Sequence, residues 1–186
     1  MDIEKLTELV FYASLFSGAA ILLSLVISLV WPERRIWPPG RQSWQLYFTW
    51  IAYTINIGGW VLLGILDWNS FVFDHWARFP IGGALILGGF GLGVWGVRTL
   101  GWHRSSGLEG TLVRGGPYRF TRNPQYVGDT FGMLCYAILA NSRLAWIVIL
   151  LGIVSFLVTP FTEEPWLKEQ LGADYEKYLK EVPRFL

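Results

Sequence analysis

The chain has 186 residues, 53% of them hydrophobic and 16% charged, with 11 tryptophans and a formal net charge of +1. That is too apolar for an ordinary soluble domain, and a near-neutral charge without a basic, aromatic-interleaved patch excludes nucleic acid as a partner. The lone cysteine, Cys135, cannot close an internal disulfide and lies in an apolar run, where it is expected to act as a small buried hydrophobe.

Apolar runs at 9–31, 44–66, 81–97, 126–141 and 144–159 approach the roughly 20 residues that a helix needs to cross ~30 Å of hydrocarbon. They predict an all-α membrane protein with about five transmembrane helices. Asp2, Glu4 and Glu8 precede the first run where a signal peptide would be basic, and no small-residue cleavage site follows, so this run is expected to stay as a span. The third run, "IGGALILGGFGLGVWG", carries Gly89 and Gly93 at the spacing that lets helix backbones approach closely. No strand is predicted before it, which argues against a nucleotide-binding glycine loop. Only Asn141, Ser142 and Arg143 or thereabouts join the fourth and fifth runs, which predicts a tight helical hairpin. Tryptophans such as Trp31, Trp44, Trp68, Trp102 and Trp146 flank the runs, as an interfacial belt would.

Every Lys and Arg except Lys5, Arg78 and Arg143 follows the first, third or fifth run. The positive-inside rule then predicts the N-terminus outside and the C-terminus in the cytoplasm of a multi-pass protein of the cytoplasmic membrane. It also puts two polar segments, 98–125 and 160–186, on the same face.

The 98–125 connection is long for a compact protein, and it holds Trp102, Tyr118, Phe120, Pro117, Pro124 and several glycines. Two readings of these residues stand: an ordered cap over a pocket for an anionic or zwitterionic ligand, or a positive-inside loop anchored by interfacial tyrosines. In the tail, Leu167, Leu171, Tyr175, Tyr178 and Val182 recur at helical spacing and predict an amphipathic helix. Thr162 is placed to cap it, with Glu163 and Glu164 in its first turn. The alternative is that one of these glutamates binds ligand hydroxyls or an ammonium. Asp129, just inside the fourth run, is a functional candidate as an intramembrane acid, with Arg122 or a cationic acceptor as its partner. His75 and His103 fall on opposite faces, so no metal site is expected.

"LVRGGPYRFTRNPQYVG" followed, after the hairpin, by "EEPWLKEQLGADYEKYLKEVPRF" strongly resembles the isoprenylcysteine carboxyl methyltransferase family, with its bacterial and phospholipid-methyltransferase relatives. The resemblance covers about residues 98–186 and implies a multi-span enzyme that moves a methyl from S-adenosylmethionine to a lipophilic acceptor entering from the bilayer. By position it implies a cofactor site of His103, Gly110, Thr111, Leu112, Val113, Tyr118, Asn123, Pro124, Gln125, Tyr126 and Glu163. Arg122 and Asp129 are the candidate catalytic residues, and Thr159 and Arg184 the candidate substrate contacts. Residues 1–80 are expected to supply only spans, and 81–186 the methyltransferase core of one compact unit. Two positions depart from the family pattern. Asn123 stands where members often have histidine, and Thr159 where prenylcysteine enzymes carry an arginine resembling a clamp for the substrate carboxylate. The competing readings are an NADPH-dependent membrane reductase of the sterol reductase type and a non-catalytic membrane scaffold. No signal for an oligomeric state is visible.

Overall fold

The computed structural model describes residues 2–186 and is all-helical, with no strand among them. In chain order come α1 (Ile3–Val30), a 3-10 turn (Pro32–Arg34), α2 (Trp44–Leu66), α3 (Arg78–Leu100), the short α4 (Trp102–Ser105), a second 3-10 turn (Gly116–Arg119), α5 (Pro124–Ala140) and α6 (Arg143–Glu181). By length and composition α1, α2, α3 and α6 can each cross a membrane. The fourth apolar run becomes α5, whose 17 residues span about 26 Å at ~1.5 Å per residue, a little less than the hydrocarbon core.

Helices α1, α2 and α6 pack on one another, α5 lies against α2 and α6, and α3 docks on α5. Trp60 and Leu63 of α2, Met133 and Ala137 of α5, and Val148 and Ile149 of α6 form the central cluster. In hydrocarbon every polar group must find a partner inside the protein. The buried α1 serines do so locally: Ser14, Ser17, Ser24 and Ser28 donate to the carbonyls of Val10, Ser14, Ile21 and Ser24 at 2.6–3.0 Å. Buried Asn56 of α2 donates across to the Ser14 carbonyl at 3.1 Å.

The glycine spacing in the third run does what it predicts. A Cβ on Gly89 would stand 2.6 Å from the Gly132 nitrogen, and one on Gly128 would stand 2.5 Å from the Gly89 oxygen and the Gly93 nitrogen. The α3 and α5 backbones therefore touch, as only small residues allow. The expected hairpin is also present. Asn141 ends α5 in the left-handed region at φ 49°, and Ser142 caps α6 by accepting from the Ala145 amide at 3.0 Å.

The tail differs from expectation. It is not a separate helix begun by Thr162 but the continuation of α6, a 39-residue stretch in which two helical pieces meet at Gly172. The helix carries Pro160 and Pro165 without ending and changes direction only at Gly172, at φ 56°. Thr162 makes no cap, since its hydroxyl donates back to the Thr159 carbonyl at 2.8 Å. Glu163 and Glu164 thus lie in mid-helix, and capping does not account for them.

Overpacking the glycine seam is expected to destabilise the fold: Gly128→Ala should cost ~1–3 kcal/mol, read as a lower unfolding midpoint in detergent. Gly88→Ala is the control, since a Cβ there meets nothing within 4 Å. Equal midpoints for the two variants would refute the close backbone contact.

Candidate functional site

Successive helix positions point about 100° apart, so adjacent Glu163 and Glu164 face different partners. Glu163 Oε1 accepts from Trp37 Nε1 at 2.8 Å and from the Tyr126 hydroxyl at 2.6 Å. Glu164 accepts from Arg122 at 2.7 Å through Oε1, and from Arg184 at 2.8 Å through Oε1 and 2.6 Å through Oε2. Its side chain is 11% exposed and that of Arg122 10%, so these charges are paired in a place nearly without water. The hydrogen bonds to Glu164 hold the Arg184 guanidinium above its ordinary pKa.

The Glu164 cluster ties the end of the chain to the 98–125 segment. The Arg122 amide donates to the Pro183 carbonyl at 2.9 Å, and the Thr121 hydroxyl and Asn123 Nδ2 donate to the Arg184 carbonyl at 3.0 and 2.9 Å. Arg122 also donates to the Leu179 and Val182 carbonyls, both at 2.9 Å. From α6 the Tyr178 hydroxyl donates to the Tyr118 carbonyl at 2.5 Å. On its other side the segment meets the α1–α2 connection. Gly40 donates to the Gly107 carbonyl at 2.9 Å and accepts from the Glu109 amide at 3.0 Å. Gly107 sits at φ 80° under Trp37, with no room for a Cβ. The 98–125 segment is therefore an ordered cap, held by the C-terminal segment on one side and by the α1–α2 connection on the other.

Under the cap is a cleft that opens to solvent. Gly110, Thr111, Leu112, Val113, Tyr118, Asn123, Gln125, Tyr126 and Glu163 all line it, and so does Arg122. Gln125 Nε2 donates to the Ser105 hydroxyl at 2.9 Å and to the Tyr118 hydroxyl at 2.8 Å, fixing that side chain on the wall. Burial pushes the Tyr118 phenol well above its ordinary pKa, so it stays protonated.

Other expected site residues lie elsewhere. His103 is exposed and off the cleft, and Pro124 packs under Gly96. Asp129 faces Gly93 in the α3–α5 seam, and the expected pair with Arg122 does not form, because Arg122 is taken by Glu164. Thr159 is 1% exposed, its hydroxyl donates to the Ser155 carbonyl at 2.8 Å, and it does not line the cleft. Arg184 braces Glu164 behind the wall.

Sequence reasoning missed Trp37 and Pro38, which reach the site from the half of the chain expected to supply only spans, and Trp166 and Tyr175. Helical spacing alone left the two glutamates undivided, and it was the resemblance that singled out Glu163. The turn signal in "WPPG" at 37–40 was available to mark an ordered connection there.

A family model described as phospholipid methyltransferase matches residues 77–174. Among curated proteins, phosphatidylethanolamine N-methyltransferase B of Dictyostelium discoideum is 35% identical over 95 residues, 47% of this chain and 48% of that protein. Steroid 5-alpha-reductase DET2 of Solanum lycopersicum is 26% identical over 111 residues, 60% of this chain and 43% of that protein. The chain thus matches less than half the length of either relative. No solved structure matches.

Removing the shared carboxylate leaves two guanidiniums without a counter-charge. Glu164→Gln is expected to destabilise the protein by ~3 kcal/mol or more, and Arg184→Ala by less, because Arg184 is 31% exposed on its side chain. Denaturant unfolding in detergent checks this order.

Proposed function

The chain belongs to the phospholipid methyltransferase family, and from that premise we propose that it is a membrane enzyme transferring a methyl from S-adenosylmethionine to a lipid acceptor. The observation that carries the reading is the convergence under one cap of Gly110–Val113, Tyr118, Asn123, Gln125, Tyr126 and Glu163, the cofactor positions that the family resemblance implies.

The cleft offers groups that suit this cofactor. Glu163 Oε2 makes no hydrogen bond to the described residues, and Arg122 Nε is buried without a partner. A free carboxylate oxygen suits an ammonium or ribose hydroxyls, and an unpaired guanidinium N–H suits a carboxylate. The rings of Tyr118, Tyr126 and Trp166 on the wall suit an adenine or a cationic centre.

When bound, S-adenosylmethionine supplies a methyl on a positively charged sulfur, open to in-line attack. The protein's part is to hold the donor under the cap, orient it and keep water out, while the acceptor approaches from the bilayer side. Arg122, wall and brace at once, acts by position rather than by moving a proton.

A lipid amine is the acceptor that the site favours. Thr159 puts no charge where the prenylcysteine enzymes have arginine, and Arg184 is committed to Glu164, so neither of these positions supplies a clamp for a substrate carboxylate. Phosphatidylethanolamine, named in the Dictyostelium relative, is the first acceptor to test. We place α5 as a fifth, slightly short crossing, with the N-terminus outside and the cleft on the cytoplasmic face, following the Lys and Arg distribution.

The steroid reductase relative supports the rival reading, reduction with NADPH. S-adenosylmethionine is expected to raise the unfolding midpoint of the purified protein and NADPH to leave it unchanged. The reverse result would replace the reading. Phosphatidylethanolamine vesicles given isotope-labelled cofactor are expected to yield a methylated lipid by mass spectrometry. Tyr118→Ala should weaken cofactor binding by ~1–3 kcal/mol, measured by calorimetry; affinity equal to wild type would remove Tyr118 from the site.

A further inference from the structure

One side chain reaches the cleft carboxylate from outside the 77–174 stretch that matches the family. We propose that this residue, Trp37 of the α1–α2 connection, is a positioning residue that sets Glu163 for ligand binding. The inference rests on the reading of the cleft as a cofactor site.

Both protein donors to Glu163, Trp37 Nε1 and the Tyr126 hydroxyl, converge on Oε1. Oε2 is thereby left as the free acceptor of a residue on the cleft wall. Three elements aim the carboxylate: α6 carries it, the start of α5 supplies Tyr126, and the α1–α2 connection supplies the indole. A two-point hold on one oxygen leaves the carboxylate little freedom to rotate.

Trp37 is itself anchored at several points. Its backbone amide and that of Ile36 both donate to the buried Ser28 hydroxyl, at 3.0 and 2.9 Å. The residue is 5% exposed and packs with Ile21, Leu25 and Ala52, with Gly107 against the ring edge. Behind it Arg35 Nε donates to the Pro38 carbonyl at 2.8 Å, and the Arg35 guanidinium lies 5.6 Å from the Trp166 ring centroid.

The choice of donor has a chemical consequence. Lys or Arg at this place would also fix Glu163, but would cancel its charge, and with it the attraction for a ligand ammonium. An indole N–H and a phenol hold the oxygen and add no charge. Glu164 next door shows the opposite arrangement, with its charge fully matched by two arginines. The pair thus divides into a neutralised brace and a carboxylate with no counter-charge of its own, open to a cationic ligand.

The test uses full-length protein in detergent with isotope-labelled tryptophan indoles. Glu163→Gln is expected to shift one of the 11 indole N–H resonances, and adding S-adenosylmethionine to wild type should move the same one. Trp37→Phe, which keeps a ring and removes the N–H, should delete that resonance and weaken S-adenosylmethionine binding by about tenfold. In the Glu163→Gln background the same change should have little further effect on affinity, because both act through one carboxylate. An indole spectrum insensitive to Glu163→Gln overturns the inference even should Trp37→Phe fail to fold. So does Trp37→Phe binding with wild-type affinity, or losses that simply add. Wild-type protein that binds no S-adenosylmethionine, yet shows the Glu163-dependent indole shift, counts against the proposed cofactor while upholding the Trp37–Glu163 contact.

Discussion

Glu164 accepts from Arg122 and Arg184 through both of its oxygens, where water is scarce and an unpaired charge costs several kcal/mol. That constraint organises the polar end of the molecule. Arg122 can satisfy it only if the cap lies down on α6, and Arg184 only if the chain beyond Val182 folds back beside Thr121 and Asn123. Cap, helix and C-terminal segment are thus ordered by one shared charge. The cleft is the space that remains beneath them once the charge is matched.

The same economy of partners runs through the apolar part. Without water to fall back on, α1 satisfies its serines on its own carbonyls, and Ser28 turns its hydroxyl to two further amides that begin the next connection. The glycine seam brings α3 and α5 into backbone contact. Its last step, Gly96 against Pro124 and Gln125, sits beside the point where α5 begins. Both roots of the cap are therefore fixed close together by glycines tens of residues apart. Chain closure across such a cap is entropically modest when its ends are already neighbours.

Much of this was legible in the chain. Hydropathy located the long apolar helices, the Gly89 and Gly93 spacing marked the α3 contact face, and the hairpin at Asn141 and Ser142 lies where the polar residues interrupt the apolar runs. The strings around Tyr118 and Glu163 marked a cleft that their separation of tens of residues could not by itself build. What escaped were choices made by tertiary contact. Thr162 followed by two acids looks like a helix start, but packing along α6 carries the helix through both prolines, and local capping preference yields. Asp129 reads as a partner for Arg122 from the sequence, yet one helical face holds it toward Gly93 while Glu164 takes the arginine. Trp37 carried no signal beyond a turn, because its role depends on a carboxylate 126 positions away.

The stretch that matches the family begins at residue 77, but the cleft is not closed by that stretch alone. Pro38 lines it, Trp37 holds its carboxylate, and Gly40 is zipped to Gly107 and Glu109 on the cap. The first two helices are therefore more than anchors: they deliver a rigid connection to the cap edge, and the buried Ser28 sets where that connection starts. A site assembled this way has one wall set by the fit of α1 and α2 against α6. Changes deep in that packing, at Ser14, Asn56 or Gly18, can reach the cleft through Trp37 without touching a ligand. Asn56 binds the Ser14 carbonyl and closes against Gly18, so α1 and α2 are packed there as one unit. The position of Glu163 then reports how that unit is seated.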